Sequence, residues 1–499
     1  VDYETDGVDM YCENNIGGYN YQARPFQGTN LKYVKSYTLT NNSGAYGTFY
    51  DCTSLIKVGE CKFTGTNSWY GIDDLFRGCT NLEEVGSIYS SCNKENNTTI
   101  ESSAVFRDCT KLKKVGELNF ASNDMDSFYN NCPSLADEGL SLPNIEQVTR
   151  LSNTFRQCSN LTNIHLEGIG RDTPLGYMGY CFYQCTSLKT VSISGDTLPI
   201  ALREMHYMYD TCSVLTNLLP IPQDFTYDVA MQYCCYNCKA LTDSAIYSEI
   251  PYRVTNIQYM YGRCDNLIEP VVNVASDNVY ARNMFEYCKG LLSLTVNFTG
   301  RLLRNAQYFS QYCDYLETIN FTFPESLVMH TDYYQTGIEY YNMFQYCQNL
   351  TNVNLNMSRL ANTNTKADFG GMFYQNKYIK VITGLDFTYL KKPAYALTNN
   401  GYGYYDWHND SITYGGSYDE LEILGITGML QGSYNFRNIT TLRHTKEILK
   451  HLDTVTSETI GLTYNVMDAI NDELNEYVDE ELRTLALAAI DKGWTFAVV

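Results

Sequence analysis

Cysteine is the residue type in this chain with the greatest capacity for chemistry. The 499 residues include eighteen cysteines, a number that could supply metal ligands or a disulfide framework. Twelve recur at intervals of 23 to 34 residues, each followed three positions later by leucine, at positions 52, 79, 109, 132, 158, 185, 212, 238, 264, 288, 313 and 347. A cysteine at the same place in every repeat predicts a column of parallel, inward side chains, which favours buried, reduced thiols over disulfides or metal ligands.

One short motif could indicate metal or redox chemistry. Cys235 and Cys238 form a C-x-x-C pair, a spacing typical of zinc ligands and redox dithiols. However, Cys238 belongs to the repeat series, Cys235 stands where most repeats have phenylalanine, and no second such pair follows. The sequence therefore predicts no metal site. Cys12, Cys61 and Cys92 lie outside the repeat series, and a disulfide among them stays open.

Motifs for hydrolytic or cofactor-dependent catalysis are not found in the sequence. The six histidines form no H-E-x-x-H motif, and there is no G-x-S-x-G motif and no glycine-rich phosphate loop. The Asp73–Asp74 pair lacks the alternating spacing of a calcium loop. We therefore expect no enzymatic activity and no cofactor.

Charge and hydropathy exclude some classes of partner. The formal net charge is -21, from 56 acidic and 35 basic residues, which disfavours nucleic acid and anionic membranes. No run of apolar residues is long enough to span a membrane, so membrane insertion is not expected. The chain has 45 tyrosines, and such hydroxyl-bearing aromatic surfaces suit the recognition of sugars or proteins. Tyrosine could equally fill repeat positions at the edge of the core.

The cysteine belongs to a longer repeat pattern. Nine repeats have an aromatic residue three positions before the cysteine, at Phe49, Phe76, Phe106, Phe155, Phe182, Tyr209, Tyr261, Phe285 and Phe344. In two copies the phenylalanine stands one position earlier, at Phe128 and Phe309, and a thirteenth copy has Asn376 in place of cysteine. The aromatic–cysteine spacing predicts a helical turn, and the alternation after the leucine predicts a short strand. One turn and one strand per repeat indicate an α/β solenoid: a right-handed leucine-rich-repeat stack with a parallel sheet on one face and short helical turns on the other.

This pattern of Phe-x-x-Cys-x-x-Leu-x-x-Val resembles the leucine-rich repeat of the BspA-like family. Members of that family are surface proteins of gut and oral bacteria, surface proteins of some protists, and phage structural proteins. The resemblance covers about residues 46–390 and implies adhesion. The ending Lys492-Gly493-Trp494 resembles the terminus that closes many BspA-like proteins, which implies a C-terminal cap. We therefore divide the chain into an N-terminal cap at 1–45, a solenoid at 46–440 and an α/β cap at 441–499.

Two long interruptions of the repeat are the leading candidates for ligand contact. Insertions in a solenoid form loops on one face, often the binding face. The interruptions, at residues 329–341 and 391–418, contain the aromatic candidates Tyr333, Tyr334, Tyr340, Tyr402, Tyr404, Tyr405 and Trp407. These loops could instead be packed decorations that support neighbouring turns.

Outward positions on the predicted strands form a second candidate surface. They include His165, Asn320 and Asn354, with Ser192 and Thr295 beside them. A continuous strip of small polar side chains could bind an extended ligand, but it is also what a solvated sheet face looks like.

The sequence favours a non-enzymatic extracellular recognition protein that binds a host-surface glycan or protein. It would be a bacterial surface adhesin or a virion component such as a tail or head fibre. The absence of a recognisable leader, anchor or membrane span slightly favours the virion. The alternative is an architectural subunit whose faces bind copies of itself.

Overall fold

The structure is a computed structural model of the chain. It describes residues 8–12, 24–40, 45–64, 71–91, 99–327, 340–360, 369–376, 378–386, 388, 405–406, 411–412, 422–427, 434–435, 442–452, 454, 458–462, 466–467, 470 and 479–498. The chain forms two compact units, residues 1–241 and 242–499, here named unit 1 and unit 2.

Unit 1 is built from short parallel strands. They are β1 (Val8–Cys12), β2 (Tyr33–Leu39), β3 (Lys57–Phe63), β4 (Glu84–Val85), β5 (Ile88–Ser90), β6 (Ile100–Glu101), β7 (Lys114–Val115), β8 (Leu118–Asn119), β9 (Ser122–Asp124), β10 (Asn163–Leu166), β11 (Thr190–Ile193) and β12 (Val229–Ala230). One sheet has the order β1-β2-β3-β4-β7, with β5 on β3 and β8 on β5. β6 pairs with β9, and β10 with β11. A 3-10 helix occupies Asp137–Gly139.

Unit 2 contains two parallel sheets that run through its repeats. Its strands are β13 (Glu249–Ile250), β14 (Val254–Asn256), β15 (Val271–Val274), β16 (Val279–Tyr280), β17 (Ser293–Phe298), β18 (Leu302–Asn305), β19 (Thr318–Thr322), β20 (Ser326–Leu327), β21 (Asn352–Asn356), β22 (Val381–Asp386), β23 (Tyr405–Asp406), β24 (Ser411–Ile412), β25 (Ile423–Thr427), β26 (Tyr434–Asn435), β27 (Glu458–Leu462) and β28 (Trp494–Val498). The main sheet has the order β13-β15-β17-β19-β21-β22-β25, and β14, β16, β18 and β20 form the second.

The C-terminal part of unit 2 differs from the repeats. Helix α1 spans Leu442–Lys450 and helix α2 spans Glu480–Asp491, and β26, β27 and β28 form a separate parallel sheet. The predicted boundaries at residues 45 and 440 stay predictions.

The strands show the burial expected of a solenoid wall. Along β17, Leu294, Val296 and Phe298 are buried, while Thr295 and Asn297 face outward. Because β17 pairs in register with β19, buried residues stack on buried residues from repeat to repeat. The predicted parallel sheet of a leucine-rich-repeat solenoid is confirmed.

Tight turns replace the predicted helical turns. The residues one and five positions before each described repeat cysteine have positive φ; before Cys185 these are Gln184 and Tyr180, both at 58°. A left-handed residue at every fourth position is incompatible with an α-helix. The described repeats therefore have consecutive β-turns on the face where sequence spacing predicted helix, because two such turns also place residues three apart on one side.

The turns are joined to one another by backbone hydrogen bonds. The N–H groups of Phe182 and Gln184 donate to the carbonyls of Met208 and Asp210 in the next repeat, at 2.9 and 2.8 Å. The N–H of Cys185 donates within its own turn, to Phe182, at 3.1 Å. The turn segments thus pair with their neighbours much as the strands do, which satisfies backbone groups in the interior.

The repeat cysteines form the predicted inward column, and eleven of the twelve thiols donate a hydrogen bond to the preceding repeat. In unit 1 all eight repeat thiols donate to a backbone carbonyl one repeat earlier, at 2.8 to 3.1 Å. Cys212, for example, donates to Phe182 at 2.9 Å. In unit 2, Cys288, Cys313 and Cys347 do the same at 3.0 Å. Burial raises the pKa of most of these thiols, that of Cys158 to about 12, so those thiols stay protonated donors. Cys52, at the first repeat, differs: a hydrogen bond with Cys79 lowers its pKa to about 7.

Aromatic residues stack in a column beside the thiols. The rings of Phe155 and Phe182 are parallel with centroids 5.6 Å apart. In the Cys132 repeat the stacked ring is Tyr129, which follows Phe106 at 5.2 Å. In the Cys313 repeat Ser310 takes the position, since its carbonyl accepts the Cys347 thiol. Phe128 and Phe309, the displaced residues of the sequence pattern, are buried next to these positions.

Asn376 shows why the column needs a donor. It replaces cysteine in the thirteenth repeat, and its amide nitrogen donates to the Phe344 carbonyl at 2.6 Å. That carbonyl occupies the place of the thiol acceptors in other repeats. The Asn376 oxygen accepts the N–H of Cys347 at 2.8 Å, and the side chain is fully buried. An amide therefore fulfils the same role as a thiol.

We expect Asn376→Ala to lower the free energy of unfolding by about 2 kcal/mol or more, because it leaves two buried backbone groups unpaired. Asn376→Cys should cost clearly less, since the thiol restores the bond to Phe344. Urea unfolding followed by tyrosine fluorescence measures both variants. Equal losses in the two variants would contradict this role.

Candidate functional site

The predicted aromatic loops are only partly described by the structure. Tyr333, Tyr334, Tyr402, Tyr404 and Trp407 lie outside the described residues. The backbone of Tyr405 lies in β23, which pairs antiparallel with β24.

Tyr340 lies in the core of unit 2. It is fully buried, its hydroxyl donates to the Leu303 carbonyl at 2.6 Å, and its ring packs on Phe369 with centroids 5.2 Å apart. Its ring and hydroxyl are therefore used within the fold. This agrees with the alternative that part of the 329–341 interruption packs against neighbouring turns.

Asn320 and Asn354 lie on the outer face of the main sheet of unit 2, where they form a side-chain ladder. Asn354 donates to Asn320 at 2.9 Å, and Asn320 donates to Thr295 at 3.1 Å. Thr383 donates to Asn354 at 2.9 Å. Both side chains are half-buried. Much of their hydrogen-bonding capacity is used between strands, and each amide uses one of its two N–H groups there.

His165 lies on the outer face of β10 in unit 1. Its Nδ1 is 2.8 Å from the hydroxyl of Ser192 on the neighbouring strand β11, and its Nε2 is 2.9 Å from a carboxylate oxygen of Glu167. The imidazole side chain is 50% exposed and that of Glu167 is 85% exposed. The histidine is thus oriented by two partners while its ring remains accessible.

A concave site of about 440 Å³ opens beside His165. Leu140, Leu142 and Pro143 form its apolar wall. Its polar lining consists of Asn144, Glu146, His165 and Glu167. The sequence singled out only His165 of this set. Asn144, Glu146 and the apolar wall were missed because they come from the segment after the 3-10 helix, which belongs to a different repeat. Glu167 was missed although it stands only two residues after His165.

The geometry of this site favours binding over catalysis. Ser192, His165 and Glu167 are connected in the order of a catalytic triad, but the acid of a working triad is buried and fixes the imidazole in a dry environment. Here the carboxylate is in solvent. Carboxylate, amide and imidazole groups beside an apolar wall instead match what a pocket uses to orient a small polar ligand.

Tyrosines form a second surface feature that sequence reasoning missed. Several left-handed turn positions hold tyrosine, and adjacent rings stack with centroids 4.5 to 4.7 Å apart; the stacks are Tyr180–Tyr207–Tyr233 in unit 1 and Tyr287–Tyr312–Tyr346 in unit 2. A left-handed non-glycine residue costs about 1–2 kcal/mol, which stacking of about 0.5–1.5 kcal/mol per pair offsets in part. The signal in the sequence is the recurrence of tyrosine one or five positions before cysteine.

In the part of the chain that the structure describes, no group of three or more His, Cys, Asp or Glu side chains is placed to hold a metal ion. Within those same residues, no helix is long and apolar enough to cross a membrane.

The repeat itself matches a known family. The description "BspA type Leucine rich repeat region" matches six copies over residues 72–198 and 178–292. Residues 72–292 therefore form a BspA-type leucine-rich-repeat region. Solenoids of this type are typically interaction scaffolds that present an extended binding surface, which supports a recognition role. No curated protein sequence matches the chain.

Solved structures align only loosely with the chain. The alignment with the TLR13–ssRNA13 complex covers 82% of this chain and 54% of the aligned chain in that structure, with 12% identity and a TM-score of 0.23. The alignment with the Toll–Spatzle complex from Drosophila covers 98% of this chain and 68% of the aligned chain, with 10% identity and a TM-score of 0.22. The chain thus spans about half the length of the first of these proteins.

One acidic residue of unit 1 gives a pH-dependent prediction. Burial raises the pKa of Asp73 to about 7, opposed by a hydrogen bond from the Ser103 N–H. The folded protein therefore binds an extra proton between pH 3.8, the ordinary pKa of the group, and about pH 7. The free energy of unfolding falls as the pH rises through that window.

We expect Asp73→Asn to raise the free energy of unfolding at pH 8 by on the order of 2 kcal/mol, and to have little effect below pH 4. Thermal unfolding across pH, with exposed Asp172→Asn as control, measures this; a pH-independent difference would contradict it.

Proposed function

We propose that this protein is a non-enzymatic recognition protein and that the concave site beside His165 binds a neutral or amino sugar. The carboxylates of Glu146 and Glu167 would accept hydrogen bonds from sugar hydroxyl or ammonium groups, while the C–H face of the ring packs on Leu140 and Leu142. The observation that carries the proposal is this pairing of an apolar wall with convergent polar groups in one depression.

The electrostatics of the site support the choice of sugar. Two carboxylates in the lining, in a chain of net charge -21, disfavour anionic ligands such as phosphate backbones. Hydrogen bonds to charged groups are worth about 1.5–3 kcal/mol each, so a few of them suffice for specific but modest affinity. Several such sites engaged together would strengthen attachment to a multivalent surface.

The setting that fits such a protein is outside the cell. We place it on a bacterial surface as an adhesin or on a virion as a fibre-type component, where it contacts host-surface glycan or protein. The aromatic residues of the two interruptions, including Tyr404 and Trp407, are proposed as additional contact residues, with Asn320 and Asn354 on the sheet face of unit 2.

Glycan-array screening, followed by calorimetric titration of the best neutral or amino-sugar ligand, tests the proposal. We expect His165→Ala and Glu167→Gln each to weaken binding about tenfold or more, because each removes a hydrogen bond to a charged or oriented group. Glu117→Gln, an exposed acid elsewhere in unit 1, is the matched control and should bind normally. If no glycan binds, or if the three variants bind alike, the site is not a sugar site.

One observation favours the alternative of an architectural subunit. The exposed large apolar side chains of unit 2 include Ile268, Val271, Leu292 and Tyr315, each at least 40% accessible. Ile268 and Leu292 are adjacent, since the Leu292 N–H donates to the Ile268 carbonyl at 2.8 Å. Apolar residues grouped on a surface often mark a protein interface.

Self-association through these residues predicts a concentration-dependent mass. Light scattering at increasing protein concentration should then show oligomers, and Ile268→Ser with Leu292→Ser should restore the monomer. Val214→Ser, at a comparably exposed apolar residue of unit 1, is the control. A monomer at all concentrations would remove this alternative.

A further inference from the structure

Unit 2 carries a cluster of arginine and tyrosine on its second parallel sheet, here named the arginine–tyrosine face. It consists of Tyr280, Arg282, Arg304 and Tyr308. Tyr280 ends β16, with Arg282 two residues later, and Arg304 lies on the adjacent strand β18. Tyr280 is exposed, Ala281 is buried and Arg282 is half-exposed, so Tyr280 and Arg282 point to the same outer side.

Ring contacts hold the two guanidinium groups. Arg304 lies over the ring of Tyr280 at 5.7 Å from the centroid, and Arg282 lies over the ring of Tyr308 at 5.6 Å. Their Nε atoms are also engaged: that of Arg304 donates to the side chain of Asn278, and that of Arg282 donates to Asn283 at 3.0 Å. Cation–π contacts and these hydrogen bonds limit rotamer freedom, so little ordering remains to be done when a ligand binds.

The charge of these arginines is not balanced by a carboxylate at ion-pair distance. Among the described residues, neither Arg282 nor Arg304 has an acidic oxygen within 4.0 Å, whereas Arg171 of unit 1 pairs with Asp224. The nearby carboxylate of Glu286 is buried and is engaged by Asn283 and Gln311. In a chain with 56 acidic residues, two guanidinium groups without a carboxylate partner on one sheet face are a local reversal of charge.

We propose that the arginine–tyrosine face binds a single acidic sugar residue, through its carboxylate or sulfate group. The terminal NH2 groups of each guanidinium, that of Arg282 and that of Arg304, form a planar donor pair that matches such an anion. The Tyr280 ring, 39% exposed, offers an apolar surface for the C–H face of the sugar. Asn256 of β14 and Asn278, which directly precedes β16, supply amides for hydroxyl groups.

The surrounding charge selects against larger polyanions. Only two arginines are unpaired here, and the chain as a whole repels anions at net charge -21. A nucleic acid or a long acidic peptide would bring several charges into that field, whereas one acidic sugar brings one. This site lies in unit 2, has the opposite charge to the depression beside His165, and does not depend on it.

Calorimetric titration at low salt with 3′-sialyllactose, a chondroitin sulfate tetrasaccharide and lactose tests the proposal. We expect saturable binding of at least one acidic sugar, no binding of lactose, and weakening by added salt. Arg282→Gln with Arg304→Gln should weaken binding about tenfold or more. Arg282→Lys, which keeps the charge but not the bidentate donors, and Tyr280→Ala should each weaken it severalfold.

Matched controls separate this site from general electrostatics and from the sugar site of unit 1. Arg171→Gln with Arg483→Gln makes the same change in net charge at exposed positions and should leave binding unchanged, as should His165→Ala. The proposal is overturned if acidic sugars bind no better than lactose, or if the Arg282/Arg304 double variant binds normally. It is also overturned if an oligo-glutamate peptide binds through these residues more tightly than the sugars.

Discussion

Hydrogen bonds between neighbouring repeats are the interaction on which the rest of the structure depends. Alternate backbone N–H groups of the turns donate to the next repeat, and eleven of the twelve repeat thiols donate to the repeat before. These two sets of hydrogen bonds, one to the next repeat and one to the previous repeat, give most of the backbone groups that they join in the core a partner. This pairing sets the distance between repeats and stacks equivalent residues on one another. Only side chains that tolerate an identical neighbour, or that bond to the adjacent repeat, can occupy the columns.

That constraint explains the composition of each column. Phenylalanine and leucine stack without polar atoms, cysteine is small and donates one hydrogen bond, and Asn376 shows that an amide can replace it when its oxygen also finds a donor. On the outer sheet face, asparagine and threonine bond along the ladder. Residues that depart from the column pattern are therefore the ones that we propose for recognition: His165 in unit 1, and Arg282 and Arg304 in unit 2.

Sequence reasoning predicted the sheet and the thiol column well, because both follow from strict positional repetition. It failed on the turns, because an aromatic residue three positions before a cysteine fits a helical turn and a pair of β-turns equally well. The left-handed residues that distinguish the two are mostly Asn, Asp, Gln and Tyr, and only a few are glycine. The sequence therefore carried no strong glycine signal. The partners of His165 were partly missed: Ser192 was placed beside it by repeat spacing, but Glu146 and the apolar wall come from an irregular segment. The burial of Tyr340 could not be predicted, because it depends on contacts with Leu303 and Phe369 from other repeats.

The most direct test of the central claim is the Raman S–H stretching band of the native protein. Thiols that donate to buried carbonyls should give a band shifted from the position of free thiols, and it should persist when the solvent is changed to D2O. Unfolding in urea should return the band to the free position and allow exchange to S–D. A native band at the free-thiol position, or one that exchanges at once in D2O, would contradict the hydrogen-bonded thiol column.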